Sequence, residues 1–359
     1  MNLSEVIKGN FDDYFNLKRI IRLDNKKPIG DLSIIKQHDN EIFILDTKNT
    51  KKLFCFSLEG NLKWEFGSIG KGPLEYNRPT DFVINKAKDA IHILDNSGYK
   101  IITVDLKTGI ALNEFNLNCY ALEMVLTDTG DFLVNTSNLF DNKHLNYKLL
   151  CIDSSQAVIS KNLRIPKNQE KKQYQTSRSL AKFGNNIFFT ETLNDTIYRI
   201  KADTLTRAYY IDFKKIKYPE KLIIKYSYQK TKKLQKKRPF VLALDKVREK
   251  NGILNFSFYY GKEIYTVFYK IKDNKTFIFH TLKNGKTLSD DQQILPFGYI
   301  NEGFVDIIEP YLLNDVKKLL ETNKAYKDYL IENKPEVYNL ILSTEASSNP
   351  ILFIYEFKI

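Results

Sequence analysis

The sequence predicts an all-β protein folded as a six-bladed β-propeller, and an internal repeat is the main evidence. Residues 31–66 contain the strand-like run IFILD followed by the turn LEG. Residues 81–115 contain IHILD followed by KTG in the same order, 49 or 50 residues later. Strand-like runs also occur near both chain ends, outside any complete repeat. We therefore expect N- and C-terminal strands to pair and close the last blade, which removes an open sheet edge.

Four strands are expected in each repeat. In the second repeat the sequence predicts them at Phe82–Asn85, Ala90–Leu94, Lys100–Asp105 and Ala111–Asn116, with Gly, Asn and Asp in the turns between them. More diverged units follow, with strand-like runs such as GDFLVN at 130–135 and NIFFT at 186–190. The sequence thus predicts one domain over residues 1–359, with approximate blades at 31–67, 80–117, 120–165, 177–213, 240–283 and 296–359, the last completed by 15–23.

Two insertions interrupt the strand pattern. Residues 312–332 have apolar side chains at helical spacing, which predicts a helical insertion that ends near Asn333 and Pro335. Residues 214–238 contain 11 Lys or Arg and one Glu, so this basic insertion carries +10 of the total net charge of +12. It is predicted to be a helix or a loop with a solvated surface. The alternative is a surface that binds polyanions or nucleic acid, with Tyr226 and Tyr228 stacked on bases.

Composition limits the class of protein. With 43% hydrophobic and 13% aromatic residues, the chain is not a disordered one. No apolar run approaches the roughly 18 residues that a membrane-spanning helix needs. The first ten residues lack the apolar core and cleavage site of a signal peptide. The sequence as written therefore predicts a cytoplasmic protein, with the periplasm or cell envelope as the alternative if a native signal has been removed.

Cysteines, histidines and repeated aspartates are given structural roles. The cysteines lie in apolar strand-like runs and are predicted to be buried free thiols. The histidines have no metal-site spacing, so neither a metal nor a cofactor is expected. Asp46 and Asp95 end equivalent strands, where capping of the next turn is expected instead of acid–base catalysis. No nucleophile motif is present, so no catalytic residue is predicted. The cysteines and histidines are Cys55, Cys119, Cys151, His38, His92, His144 and His280.

Several motifs together resemble a known family. The connector between the first two repeats reads GSIGKGPLEYNRP at residues 67–79, and SNPILF stands at 348–353. With Asp290-Asp291 before Pro296, this pattern resembles the six-bladed β-propeller family abundant in Bacteroidetes, related to NHL-repeat and TolB-like propellers. The resemblance spans nearly the whole chain and is strongest in residues 15–116, although Leu74 stands where the family often has Gly. It implies the propeller fold and, for many members, a cell-envelope location without an assigned activity.

The Gly-rich connector, residues 67–79, is the sharpest local motif. Glycines allow backbone conformations in which successive N–H groups surround an anion, and Lys71 and Arg78 add positive charge. The connector lacks the hydroxyl that follows the lysine in a Walker loop, and it also links the last strand of one blade to the first strand of the next. We predict that Lys71, Glu75, Tyr76 and Arg78 line a ligand-binding rim. The alternative is that Glu75 and Arg78 pair and brace the turn.

These observations favour a non-enzymatic scaffold that binds a small molecule, a glycan or a protein at the propeller face, with nucleic acid an unfavoured partner. The first alternative is a hydrolase or lyase with its active site at the mouth of the axial channel. Three or more converging His, Asp or Glu side chains with perturbed pKa values would favour the enzyme. The second alternative is polyanion binding through the basic insertion.

Overall fold

The computed structural model describes residues 1–137, 146–167, 178–201, 204–219, 228–283 and 291–358. The chain divides into two compact units. Unit 1 comprises Met1–Val6 and Phe66–Ile278, and unit 2 comprises Ile7–Glu65 and Phe279–Ile359. Within the described residues, six four-stranded sheets are the blades of a six-bladed β-propeller. This confirms the fold class that the repeat predicts.

Unit 2 contains the closing blade and the first blade. The closing blade has the strand order β1 (Phe15–Arg22), β26 (Ile351–Phe357), β25 (Gly303–Ile308) and β24 (Gly298–Ile300). β1 pairs antiparallel with β26 from Phe15–Phe357 to Arg22–Ile351, so the predicted pairing of the two chain ends is confirmed. The first blade has the order β2 (Ile34–His38), β3 (Glu41–Leu45), β4 (Leu53–Ser57) and β5 (Leu62–Phe66). A separate two-stranded sheet contains β22 (Thr281–Lys283) and β23 (Asp291–Gln293).

Unit 1 contains the second to fifth blades, each with its strands in chain order. The second blade has β6 (Pro79–Asn85), β7 (Ala90–Asp95), β8 (Lys100–Asp105) and β9 (Ala111–Asn116). The third has β10 (Glu123–Leu126), β11 (Phe132–Asn135), β12 (Tyr147–Ile152) and β13 (Val158–Arg164). The fourth has β14 (Leu180–Phe183), β15 (Asn186–Phe189), β16 (Thr196–Lys201) and β17 (Thr204–Tyr210). The fifth has β18 (Val241–Lys250), β19 (Ile253–Tyr260), β20 (Glu263–Lys270) and β21 (Lys275–Phe279). First strands of neighbouring blades are in contact: β6 with β10, β10 with β14, and β14 with β18.

Apolar side chains from facing sheets form the cores of both units. In unit 2, Phe54 and Ile44 of the first blade share a buried cluster with Leu352 of the closing blade. Each fully buried side chain of this size contributes about 1.5–3 kcal/mol through removal of apolar surface from water. The three cysteines are buried thiols that form no disulfide, as predicted. Burial raises the pKa of Cys55 to about 12, so its thiol stays protonated and unreactive.

The helices differ in part from the sequence prediction. The C-terminal insertion contains three helices, α2 (Leu313–Thr322), α3 (Lys324–Asn333) and α4 (Pro335–Ser343), and not one helix that ends near Pro335. Asn323 separates the first two, and its side chain accepts a hydrogen bond from the Tyr326 N–H at 3.0 Å. Pro335 begins α4, because proline in the first helical turn loses no hydrogen bond. In the basic insertion, α1 (Tyr228–Lys237) is helical, whereas residues 220–227 lie outside the described residues.

The repeated aspartates cap turns, as predicted. Asp46 Oδ1 accepts hydrogen bonds from the N–H groups of Lys48 and Asn49, both at 2.9 Å. Its Oδ2 accepts one from the Thr50 N–H at 2.8 Å. Burial alone raises the pKa of Asp46, but these backbone donors outweigh burial and lower it. The carboxylate is therefore ionised and caps its own turn, and its Oδ2 also accepts from the Asp31 N–H at 3.2 Å.

If the chain is the single domain expected from the sequence, it should unfold cooperatively. We expect one transition in differential scanning calorimetry, with equal calorimetric and van't Hoff enthalpies, because one cooperative domain has no populated intermediate. Two separate transitions would contradict the single-domain prediction.

Asn349 is predicted to be the most sensitive polar residue near the closing strand. Its Oδ1 accepts from the Ile29 N–H at 2.9 Å, and its Nδ2 donates to the Asp24 and Lys27 carbonyls at 2.7 Å. Because Asn349→Ala leaves these groups without partners in a buried place, we expect a loss of about 2–4 kcal/mol in urea unfolding. The exposed Asn40→Ala, also in unit 2, is the control and should cost little. Equal costs for the two variants would contradict the prediction.

Candidate functional site

The Gly-rich connector folds back on itself before it joins β6. The Tyr76 N–H donates to the Ser68 carbonyl at 2.9 Å, and the Gly70 N–H donates to the Tyr76 carbonyl at 3.1 Å. The Glu75 carboxylate turns into the loop, where its Oε2 accepts from the Gly72 N–H at 2.8 Å. A Cβ at Gly70 would stand 1.9 Å from this Oε2, so only glycine allows this approach. The loop is thus closed by its own backbone and by Glu75.

Of the four predicted site residues, two are exposed and the other two are buried or half-buried. Lys71 and Arg78 are exposed. Tyr76 is fully buried, and its hydroxyl lies 3.3 Å from the Phe66 carbonyl oxygen, to which it donates. Glu75 is half-buried and engaged in the loop. Within the described residues Glu75 and Arg78 form no ion pair, so the loop is not braced by the pairing considered from sequence.

The backbone of Arg78 is held on both sides by the turn after β7. Its N–H donates to Asp95 Oδ1 at 3.0 Å, and its carbonyl accepts from the Asn96 N–H at 3.2 Å. The side-chain amide of Asn96, through Nδ2, also donates to the Tyr120 hydroxyl at 3.1 Å. Burial raises the pKa of Tyr120, and the nearby Arg78 charge acts in the opposite direction. The geometry therefore sets an exposed guanidinium near a phenol hydroxyl, on a fixed stretch of backbone.

A salt bridge in the second blade, which the sequence did not predict, holds the middle of the connector at Gly72 and Leu74. The Lys100 ammonium donates to the Gly72 carbonyl at 3.1 Å and to Glu114 Oε2 at 2.8 Å. The same Glu114 oxygen accepts from the Leu74 N–H at 2.9 Å. Hydrogen bonding from Lys100 lowers the pKa of Glu114, which keeps the carboxylate ionised at neutral pH. These contacts position Lys71, which lies between two anchored residues.

A second cluster, the inner-strand cluster, contains Asp81, Glu123, Arg178 and Asp245 at the first strands of unit 1. Asp81 Oδ2 accepts from the Met124 N–H at 3.0 Å, which links the second blade to the third. The guanidinium of Arg178 lies 3.2 Å from Asp81 Oδ1. Asp245 Oδ1 accepts from the Arg178 N–H at 2.9 Å, which links the fifth blade to the fourth. Arg178 thus contacts Asp81 through its guanidinium and Asp245 through its backbone N–H.

Glu123 is the most perturbed member of the inner-strand cluster. Its two oxygens accept from the N–H groups of Ser179 at 3.0 Å and Leu180 at 3.1 Å, and from the Asn135 amide at 2.9 Å. The residue is 1% exposed. Burial raises the pKa of Glu123 to about 7, against the opposite effects of Arg178 and the hydrogen bond from Asn135. A carboxyl group of this kind is either a brace between blades or a proton donor.

Sequence reasoning missed this cluster, although one signal was present. Asp31 and Asp81 recur at the same place in the repeat, and Glu123 and Asp245 are acidic residues within apolar strands. Charged side chains are seldom fully buried without partners, so acidic residues at such positions indicate a bonded network. The identity of the partners depends on contacts between blades and is not visible in any local pattern.

The described histidines have structural surroundings. His92 is buried, its ring nitrogens lie 3.3 Å from Asn85 Nδ2 and 3.0 Å from Thr103 Oγ1, and burial lowers its pKa to about 4. His144 lies outside the described residues. Among the residues that the structure describes, no group of three or more His, Cys, Asp or Glu could hold a metal ion. The described helices are also too short or too polar to cross a membrane.

Comparison with solved structures shows the fold of this chain. A candidate exported protein of Bacteroides fragilis NCTC 9343, BF0058, is 18% identical and has a TM-score of 0.80, with 99% of each chain covered. A member of the DUF4221 family from Bacteroides vulgatus is 8% identical and has a TM-score of 0.52, with 96% of this chain and 98% of that chain covered. At these identities the likeness establishes the fold alone.

Comparison of the sequence with family models identifies the family of this chain. No match was found among curated proteins. The family model described as a domain of unknown function, DUF4934, matches residues 4–356. With almost the whole sequence matched, the chain belongs to the DUF4934 family.

Proposed function

We propose that this protein is a non-enzymatic binding scaffold whose ligand is anionic and contacts Lys71 and Arg78. The observation that carries the proposal is the setting of Arg78. Its backbone is fixed by Asp95 and Asn96, its side chain is exposed, and no carboxylate in the described residues pairs with it. Because the backbone of Arg78 is already fixed, only its side chain has to be ordered when an anion binds.

Glu75 and Tyr76 serve the same site indirectly in this proposal. Glu75 closes the loop through the Gly72 N–H, and buried Tyr76 fixes the stretch that leads to Arg78. The ligand is a small molecule, a glycan or a protein segment that carries a carboxylate or phosphate group. Kinship with NHL-repeat and TolB-like propellers is part of the same proposal, and the repeated four-stranded blades support it.

One observation favours a hydrolase or lyase as the second candidate. Glu123 has a pKa of about 7, and Asp81 and Asp245 lie in the same cluster, a combination that suits general acid–base catalysis. Two observations weigh against that function. Glu123 is buried, and both of its oxygens already accept backbone N–H groups of the next blade. Asp81 and Asp245 accept backbone N–H groups in the same way.

Removal of the two exposed cations tests the binding proposal. A thermal-shift screen with glucose, glucuronate, citrate and inorganic phosphate should find stabilisation by anions and none by glucose. The double variant Lys71→Ala/Arg78→Ala should then bind the best anion at least about tenfold more weakly in calorimetry, since a hydrogen bond to a charged group contributes about 1.5–3 kcal/mol. The melting temperature without ligand should not change.

The control for this experiment is Lys86→Ala/Lys107→Ala, which removes two exposed cations from the second blade. It should bind as the wild type does. If no anion stabilises the protein, or if Lys71→Ala/Arg78→Ala lowers the melting temperature and keeps the affinity, the proposal is wrong and the connector is a structural brace.

The pH dependence of stability tests the role of Glu123. Because its pKa is raised from 4.5 to about 7 on folding, the folded protein binds more protons than the unfolded chain between these values. The stability contributed by protonated Glu123 is full below about pH 4.5 and is lost as the pH rises through about 7. The loss is about 3 kcal/mol in urea unfolding, at about 1.4 kcal/mol for each pKa unit.

Glu123→Gln keeps a neutral side chain at every pH, so this part of the pH dependence should disappear. The exposed Glu321→Gln should keep the wild-type pH dependence. A Glu123→Gln protein that retains the full decline between pH 4.5 and 7 would show that another group titrates. Unchanged anion affinity in Glu123→Gln is also expected, because a brace does not touch the ligand.

A further inference from the structure

Helix α1 of the basic insertion is fixed to unit 1 by one face. Thr231 and Gln235 are buried, and the Gln235 side-chain amide donates to the Phe240 carbonyl at 2.8 Å. Leu234 packs against Leu193 and Phe240. Since positions 231, 234 and 235 share one helical face, α1 lies on the sheet structure with a defined orientation.

The other side of α1 carries several exposed positive charges. Lys233, Lys236 and Lys237 are exposed on the helix, and exposed Arg238 follows it. Lys214 and Lys215 are also exposed and lie just before Tyr218, which packs in the same apolar cluster as Leu234. No ion pair of these cations is formed within the described residues. The six cations are called the basic surface: Lys214, Lys215, Lys233, Lys236, Lys237 and Arg238.

Lys217, in the same segment, differs from these cations because its ammonium is held by an ion pair and by aromatic rings. Its ammonium lies 3.0 Å from Asp195 Oδ2 and within 5.9 Å of the ring centres of Tyr210 and Tyr218. The hydrogen bond with Asp195 raises the pKa of Lys217. Favourable interaction with the helix dipole accounts for cations in the last turn, Lys236 and Lys237. It does not account for Lys214, Lys215 or Lys233.

We propose that the basic surface binds an anionic phospholipid membrane peripherally. Five of its six cations are lysines, which act as point charges on long stems and suit a diffuse anionic surface better than bidentate recognition of single phosphates. Binding to single-stranded nucleic acid uses aromatic rings for stacking, and the exposed ring of Tyr210 already lies beside the Lys217 ammonium.

The basic surface shares no residue with the Gly-rich connector, so the variants that test it leave Lys71 and Arg78 unchanged. Sedimentation with vesicles of phosphatidylcholine and phosphatidylglycerol in equal amounts should remove the full-length protein from solution at low salt. Vesicles of phosphatidylcholine alone should not. Binding should weaken steeply with added sodium chloride, because salt screens the attraction between exposed cations and anionic headgroups.

The test variant changes Lys233, Lys236, Lys237 and Arg238 to Gln. Its partition onto the anionic vesicles should fall at least about 20-fold, since each basic residue near such a surface contributes up to about fivefold. The control changes Lys86, Lys107, Lys161 and Lys272, which are exposed elsewhere in unit 1, to Gln. It has the same net charge and should partition as the wild type does. Far-ultraviolet circular dichroism and melting temperature confirm that both variants are folded.

Three outcomes would overturn the proposal. The first is absence of wild-type binding to anionic vesicles at low salt. The second is an equal loss in the test and control variants, which would mean that net charge alone drives binding. The third is tighter binding to a mixed-sequence single-stranded oligonucleotide than to vesicles at equal phosphate concentration, lost only in the test variant, which would assign the surface to nucleic acid.

Discussion

The architecture of unit 1 depends on buried carboxylates that join consecutive blades at their first strands. A first strand pairs with only one neighbour in its own sheet, so backbone N–H groups at its other side need acceptors. Asp81 in the second blade accepts one backbone N–H of the third blade. Glu123 in the third blade accepts two N–H groups of the fourth blade. Asp245 in the fifth blade accepts one N–H of the fourth blade. Every consecutive pair of blades in unit 1 is thus bridged by at least one buried acidic side chain.

This constraint limits the chemistry of the site. A carboxylate that accepts buried backbone hydrogen bonds cannot turn towards a substrate without leaving N–H groups unpaired, at about 1–3 kcal/mol each. Arg178 balances part of the buried negative charge through Asp81, 3.2 Å away. These acidic groups are therefore committed to the fold.

Much of the fold could be predicted because its signals are local. Alternating apolar residues and turn aspartates recur in each repeat, and Asp46 caps its turn through residues at most four positions away. The same reasoning placed a helix end near Asn333 correctly but missed α4, because a proline that ends one helix and a proline that begins the next differ only in the residues after it. Tyr76 illustrates a different difficulty. Its position in the connector suggested exposure, whereas its burial depends on how the loop folds back onto Ser68.

The inner-strand cluster could not be predicted for a related reason. Glu123 and its partner Ser179 are 56 residues apart, in different blades, and nothing near Glu123 in the sequence specifies that separation. A buried acidic residue indicates that partners exist, but only the packing of blades decides which N–H groups these are. Long-range polar contacts are therefore less predictable than the strands that carry them.

The two exposed cationic regions differ in how their charge is held, and this difference separates their proposed partners. Arg78 follows a loop whose backbone is bonded at successive residues, so its planar guanidinium starts from a fixed point and suits one defined anion. The lysines of α1 extend from a helix that is fixed only through its buried face, and each ammonium moves on four methylene groups. Flexible ammonium groups can contact many different anions. They therefore suit a membrane surface with many anionic headgroups and give little selectivity for a single ligand. A planar guanidinium favours defined recognition of one anion, whereas several lysine ammonium groups favour adhesion to an anionic surface.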